Sequence, residues 1–206
     1  ELAGTYDGNG YTITVRGTLR NFAIFKSIRK GATVTGLNVQ YSSATIKSVI
    51  AGVNNGTIDR VEVRDAFLDV TAENIGGIAG QNMTADSSSI YGTTMTAVIS
   101  KSSADVIIGQ TQKVTNSGVT YVNKGATGNI GGIAGQNIGG TISNTYSKGK
   151  VVLGETGIIY GGIAGNNEYL FTSTANASNS YVSSGKIENS YSSIALFPSK
   201  VTNYSS

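Results

Sequence analysis

The sequence predicts an all-β solenoid: a parallel β-helix with about 28 residues and three short strands per coil. Three observations carry this expectation. First, the block Ile130-Gly131-Gly132-Ile133-Ala134-Gly135-Gln136-Asn137 recurs at Ile75–Asn82 and Tyr160–Asn167, with a shorter copy at Ile50–Asn55. The anchor glycines Gly52, Gly80, Gly135 and Gly165 lie 28, 55 and 30 residues apart. Second, Gly140-Thr141-Ile142-Ser143-Asn144-Thr145-Tyr146-Ser147-Lys148-Gly149 alternates as a strand does. Third, no segment shows a 3.6-residue period, which argues against a helical solenoid.

Taken in order, residues 1–49 form the N-terminal coil or coils. Tyr6-Asp7-Gly8-Asn9-Gly10 is a turn signal, because Gly and Asn tolerate positive φ. Tyr11–Val15 then alternates as a strand, and Phe22–Phe25 and Val34–Val39 supply two more. Stepping back 26 residues from Gly52 lands on Ala23-Ile24-Phe25-Lys26, a degenerate first copy.

Residues 50–165 hold the regular coils. The interval of 55 is about twice the others, so a hidden copy is expected at Ile107-Ile108-Gly109-Gln110, making six units. In the Gly-Gly-Ile-Ala-Gly block the glycines let the backbone turn or approach a neighbouring coil. In the second block Ile142, Asn144 and Tyr146 share one face, and Ser143, Thr145 and Ser147 the other. Lys150–Leu153 and Ala66–Val70 are third segments of their coils.

The asparagines make a sharper expectation. Asn54, Asn82, Asn137 and Asn167 each follow an anchor glycine by two residues, and Thr111 takes that place in the degenerate copy. Stacked coils bring such side chains about 4.8 Å apart, so their amides form a hydrogen-bonded ladder. Residues 166–206 break the rhythm and hold the last coils with a loop insertion. It is short if Tyr181 is the equivalent of Tyr146, and longer if Tyr191 is. Tyr160, Tyr169 and Phe171 near this insertion are candidates for an exposed contact loop. Phe197-Pro198 is expected to end regular pairing. All of this is one continuous domain.

Composition narrows the chemistry. The chain has 206 residues, with 28 glycines, most of them in the repeats, and a single proline, which excludes collagen-like sequence. The net charge of +3 is small and scattered, so nucleic acid is not an expected partner. There is no run of about 18 apolar residues, so no membrane insertion is expected. With no cysteine there is no thiolate metal site. With no histidine the commonest general base and zinc ligand are missing too. No cofactor or metal is expected. Glu1 opens almost directly into a strand and Val201–Ser206 carries no sorting signal, so the chain is expected to be a monomeric module of a longer protein.

These residues resemble the GLUG motif of bacterial surface proteins. Gly132–Gly135, Asn137 and Gly140–Gly149 carry the closest likeness, and Gly77–Gly80 and Gly162–Gly165 match its first half. Gly4–Ile13 looks like the segment that commonly precedes such repeats. Similar regions occur in wall-anchored adhesins and in the non-catalytic part of immunoglobulin A1 protease-type zinc metallopeptidases. The peptidase signature of those enzymes needs two histidines, which this chain lacks. The resemblance implies a right-handed parallel β-helix on the bacterial cell surface or in the cell wall. It implies no activity.

The strongest charged cluster is Asp59-Arg60-Val61-Glu62-Val63-Arg64-Asp65, with Asp69 and Glu73 after it. Val61 and Val63 are expected inward, leaving Arg60, Glu62 and Arg64 outward. Outward carboxylates and basic residues serve polysaccharide-cleaving enzymes on β-helices. They serve equally as cross-strand ion pairs that solubilise a face, which is the expectation here. Calcium on Asp59, Asp65 or Asp69 lacks a recognised ligand spacing. Tyr146, Tyr181 and Tyr191 share parity with Ile142 and Ile187 and are expected to stack in the core. The functional expectation is a non-catalytic rigid module, a spacer and interaction surface for a host glycan or protein. The alternative is a polysaccharide lyase or glycoside hydrolase on the same fold. A groove lined by carboxylates and arginines would favour the enzyme, and a flat polar face the spacer.

Overall fold

The computed structural model describes residues 1–16, 23–42, 45–46, 48–68, 73–84, 96–115, 118–123, 125–172 and 180–198. The chain winds into a parallel β-helix whose coils present three faces. We call them the ladder face, the short face and the long face.

The ladder face stacks Phe25–Ile28, Ala51–Asn54, Ala79–Met83, Ala134–Ile138 and Ala164–Thr172, all in parallel register. The short face stacks the three-residue strands Thr5–Asp7, Thr33–Thr35, Thr57–Asp59, Val98–Ser100, Thr141–Ser143 and Lys186–Glu188. The long face stacks Thr12–Arg16, Asn38–Ser42, Glu62–Leu68, Ser103–Ile108, Tyr146–Gly161 and Tyr191–Pro198. Asn74–Gly76 and Ala126–Gly131 return the chain toward the ladder face, pairing with each other and with the end of Tyr146–Gly161. The coils enclose an apolar column in which Ile58, Ile75, Ile99, Ile130, Ile133 and Ile142 are among the fully buried residues. Val61 and Val63 are buried in it, with Arg60 and Arg64 exposed on either side, as alternation requires.

The repeated glycines are there for close backbone approach. A Cβ on Gly135 would sit 2.5 Å from the Ile75 amide nitrogen and 2.8 Å from the Gly80 carbonyl oxygen. Those are backbone atoms of the adjacent coil, and they cannot move aside cheaply.

A left-handed corner joins the short face to the long face. Gly36, Arg60, Lys101, Asn144 and Asn189 stack there, with φ of 60°, 53°, 48°, 53° and 48°. The first four donate their amides to the next coil, as Lys101 N–H does to the Ser143 carbonyl at 3.1 Å. This corner corrects the parity expected for the second block. Ile142 is buried, Asn144 is exposed at the corner, and the alternation restarts behind it. Thr145 and Ser147 therefore point inward, while Tyr146 lies on the outside. The same corner splits the expected strand Val34–Val39 into Thr33–Thr35 and Asn38–Ser42. Of the expected strand Phe22–Phe25, Phe22 lies outside the described residues, and the observed strand is Phe25–Ile28. Lys26 lies between Phe25 and Ser27, which pair with Ala51 and Val53, so the 26-residue step back from Gly52 is the true register.

The hidden copy at Ile107–Gln110 does not exist as a coil. Ala79–Met83 pairs directly with Ala134–Ile138, so the 55-residue interval is one coil carrying insertions. Ile107 and Ile108 belong to the long face. Gln110–Thr115 then forms an antiparallel hairpin with Gly118–Asn123, and Thr111 pairs with Val122, away from the ladder. The amide of Gly125 donates to the Gly109 carbonyl at 3.1 Å and closes the neck of this hairpin. A second antiparallel hairpin, Ala164–Thr172 with Ser180–Ser184, is the insertion of the last described coil. Tyr181 pairs with Phe171 inside it, and Tyr191 is the register equivalent of Tyr146. The insertion is the longer of the two expected. Pairing along the long face is described as far as Pro198.

Candidate functional site

The asparagines stack as the spacing predicts. The Asn54 side-chain amide donates to the Asn82 carbonyl oxygen at 2.8 Å, Asn82 donates to Asn137 at 2.7 Å, and Asn137 to Asn167 at 2.7 Å. Asn54, Asn82 and Asn137 are fully buried, and Asn167 is the exposed end. The same amides also reach the backbone carbonyl just ahead of the short face. These acceptors are Gly56 at 3.3 Å, Ala97 at 3.5 Å, Gly140 at 3.0 Å and Gly185 at 3.0 Å. The ladder needs room there, since a Cβ on Gly140 would sit 2.5 Å from the Asn82 amide nitrogen. Ile28 occupies the equivalent place in the first coil and ends the polar column on buried apolar surface. Every coupled amide in the column is satisfied inside the protein.

Further polar side chains pair between coils on the ladder face and on the return strands. Gln81 donates to Gln136 at 2.9 Å, Gln136 donates to Glu168 at 3.2 Å, and Asn129 donates to Asn74 at 2.8 Å. Asn166 also donates to Glu168.

The charged cluster faces outward on the long face and forms a concavity of about 300 Å³. Its lining includes Glu62, Arg64, Asp65, Ser103, Asp105, Tyr146 and Lys148. Parallel register assembles it from three coils: Glu62, Ser103 and Tyr146 occupy one row, with Arg64, Asp105 and Lys148 in the row two residues on. Asp65, at φ 54°, is the bulge residue that displaces the register. Arg64 pairs with Glu62 at 2.6 Å and Lys148 with Asp105 at 3.0 Å. The guanidinium of Arg64 holds the Glu62 carboxyl below its usual range, and hydrogen bonding to Asp105 raises the Lys148 ammonium. Arg60 pairs outside the concavity, with Asp59 at 3.0 Å.

Tyr146 and Tyr191 do stack, with ring centroids 4.5 Å apart and planes at 28°. They do so outside the column, not in the core. Tyr191 is 65% exposed, and the Tyr146 hydroxyl is held by the Ser193 hydroxyl at 2.9 Å. Sequence alternation missed this because the left-handed Asn144 resets which residues face inward. A shallower concavity lies on the other side of the pair, lined by Lys101, Asn144, Asn189 and the two rings among others.

The three residues expected on a contact loop lie on strands. Tyr160 lies near the end of the strand Tyr146–Gly161 and packs half-buried against the core, where burial raises its hydroxyl above the usual value. Tyr169 and Phe171 lie on Ala164–Thr172, and Tyr169 is exposed. Of the candidate calcium ligands, Asp59 is on the short face and Asp65 on the long face, while Asp69 lies outside the described residues. Among the described residues, no cluster of three His, Cys, Asp or Glu side chains has metal-binding geometry.

The model of the family described as the GLUG motif matches residues 126–152. That stretch is close to one full turn of the column, from the return strand Ala126–Gly131 through Ala134–Ile138 and Thr141–Ser143 into the long face. The motif is therefore the recipe for a single coil. No curated protein and no solved structure matches the chain.

Proposed function

We propose that this chain is a non-catalytic β-helical module that holds an outer interaction face at a fixed position on a bacterial surface protein. The observation that supports this most is the asparagine column, which runs without a gap from the buried Asn54 to the exposed Asn167. Backbone pairing and side-chain ladders both run along the axis, so bending the column breaks several bonds at once. Such a column resists bending and suits a spacer. The long face supplies the contact surface, and the expected partner is a host glycan or a host protein.

One observation favours the alternative of a polysaccharide-active enzyme: Glu62, Asp65 and Asp105 line a single concavity. Glycoside hydrolysis needs one carboxyl held protonated by a raised pKa. Glu62 is shifted the opposite way by Arg64, and Asp105 is tied up with Lys148. Those ion pairs favour the non-catalytic reading.

The test is to coat beads with the chain and measure their adhesion to glycan- and protein-coated surfaces, while assaying the soluble chain on polysaccharides for new reducing ends. Adhesion without product release supports the module. Product release that disappears in Glu62→Gln or Asp105→Asn overturns it.

A further inference from the structure

The row Glu62, Ser103, Tyr146, Tyr191 has a gap in it. Long side chains stand on three of its coils, and a serine stands on the fourth. Coils repeat about every 4.8 Å, so Glu62 and Tyr146 stand about 9.6 Å apart with only Ser103 between. Tyr146 and Tyr191 are register partners whose stacked rings lie one coil apart, so their planes lie across the column axis. The second face of Tyr146 is therefore turned toward the gap. The hydroxyl bond to Ser193 keeps the ring in that attitude.

We infer that this gap is a binding slot for one neutral pyranose unit of a glycan, stacked on the free face of Tyr146. The inference rests on the interaction-module reading above. A ring seated at van der Waals contact, about 4 Å from Tyr146, occupies the level left open over Ser103. The negative face of the tyrosine attracts the polarised C–H edges of a sugar ring. The rim supplies what the sugar hydroxyls need. Carboxylates of Glu62, Asp65 and Asp105 accept hydrogen bonds, and Ser103 does either. Three carboxylates face two cations, Arg64 and Lys148, both already paired, so the slot disfavours an acidic sugar. The volume of about 300 Å³ is at the small end of ligand sites and suits a single sugar residue.

The experiment is a backbone amide NMR titration of the whole chain with lactose, cellobiose and maltose at millimolar concentrations. Sialyllactose and a tri-arginine peptide serve as charged probes. Saturable shifts confined to the strands bearing Glu62, Ser103 and Tyr146, with at least one neutral saccharide, are expected. Tyr146→Ala should weaken binding more than tenfold. Ser103→Phe should abolish it while keeping or raising the melting temperature, because a third ring then fills the slot and extends the stack. This second variant keeps the test decisive if Tyr146→Ala unfolds. Three results overturn the slot: no saturable shift with any neutral saccharide, binding only of sialyllactose or tri-arginine, or saccharide binding that survives Ser103→Phe. Failure here leaves bead adhesion through another face untouched, whereas product release would sink the module reading whatever the titration shows.

Discussion

Asn82 hydrogen-bonds at both ends of its side chain, accepting from Asn54 at 2.8 Å and donating to Asn137 at 2.7 Å. Truncating it strands the buried side-chain oxygen of Asn137 and takes one acceptor from Asn54, whose amide keeps the Gly56 and Val98 carbonyls. Asn82→Ala should cost about 3 kcal/mol, read as a lower urea midpoint, since each buried unsatisfied group costs about 1–3 kcal/mol. Glycine positions divide by what surrounds them. Gly135→Val should cost more than about 3 kcal/mol, because its Cβ would meet backbone on the adjacent coil. Gly4→Ala, where nothing lies within 4 Å, should stay within about 0.5 kcal/mol by the same measurement. If the two shift stability equally, close approach is not what the repeat glycines provide. Glu62 gives a pH prediction. Its carboxyl is depressed by Arg64, so the pair contributes above the ordinary glutamate range and loses that contribution as pH falls through the lowered value. Both partners are about half-exposed to solvent, so the effect on stability is small. NMR titration should place the Glu62 midpoint below the usual ~4.3, and Arg64→Ala should return it upward.

The element that decides most is the left-handed corner. Five residues occupy it, and only Gly36, Asn144 and Asn189 are of types that tolerate positive φ well. Arg60 and Lys101 are held there by the coils on either side. Lys101→Gly should stabilise the protein by about 0.5–1 kcal/mol, the αL penalty less the entropy cost of glycine. A loss of stability in thermal unfolding would mean that the lysine stem covers apolar surface worth more than the strain. The corner also sets the chemistry of the long face. By resetting alternation at Asn144 it sends Thr145 and Ser147 inward, and Tyr146 out to stack on Tyr191.

At the scale of the molecule, the coils are a column with ornaments. The hairpin Gln110–Asn123 leaves the column through a neck that the backbone bond from Gly125 to Gly109 closes. Its removal leaves the ladder contacts of that coil in place, because Asn82 and Asn137 meet on the far side of the insertion. Replacing residues 112–121 with a tight turn should keep cooperative unfolding and shift stability by no more than about 1 kcal/mol. Loss of cooperativity in a urea titration would make the hairpin part of the column.

The amino-acid sequence alone determined the parallel coil, its period of 26 to 30 residues where no insertion intervenes, and the asparagine column. Close glycine approach and amide stacking each demand one residue type at one place in every coil, so they print themselves as a repeat. It did not reveal that Gly80 and Gly135 belong to neighbouring coils. Ile107-Ile108-Gly109-Gln110 is the end of a buried strand turning into a hairpin, and it uses the residue types that a coil uses. The concavity on the long face was half legible. Glu62, Arg64 and Asp65 are adjacent in sequence and alternate outward, whereas Ser103, Asp105, Tyr146 and Lys148 join them only through inter-coil register. Only the tertiary structure decided that set. Pairing between coils joins residues far apart in the chain, and insertions of any length between them leave no trace in local pattern.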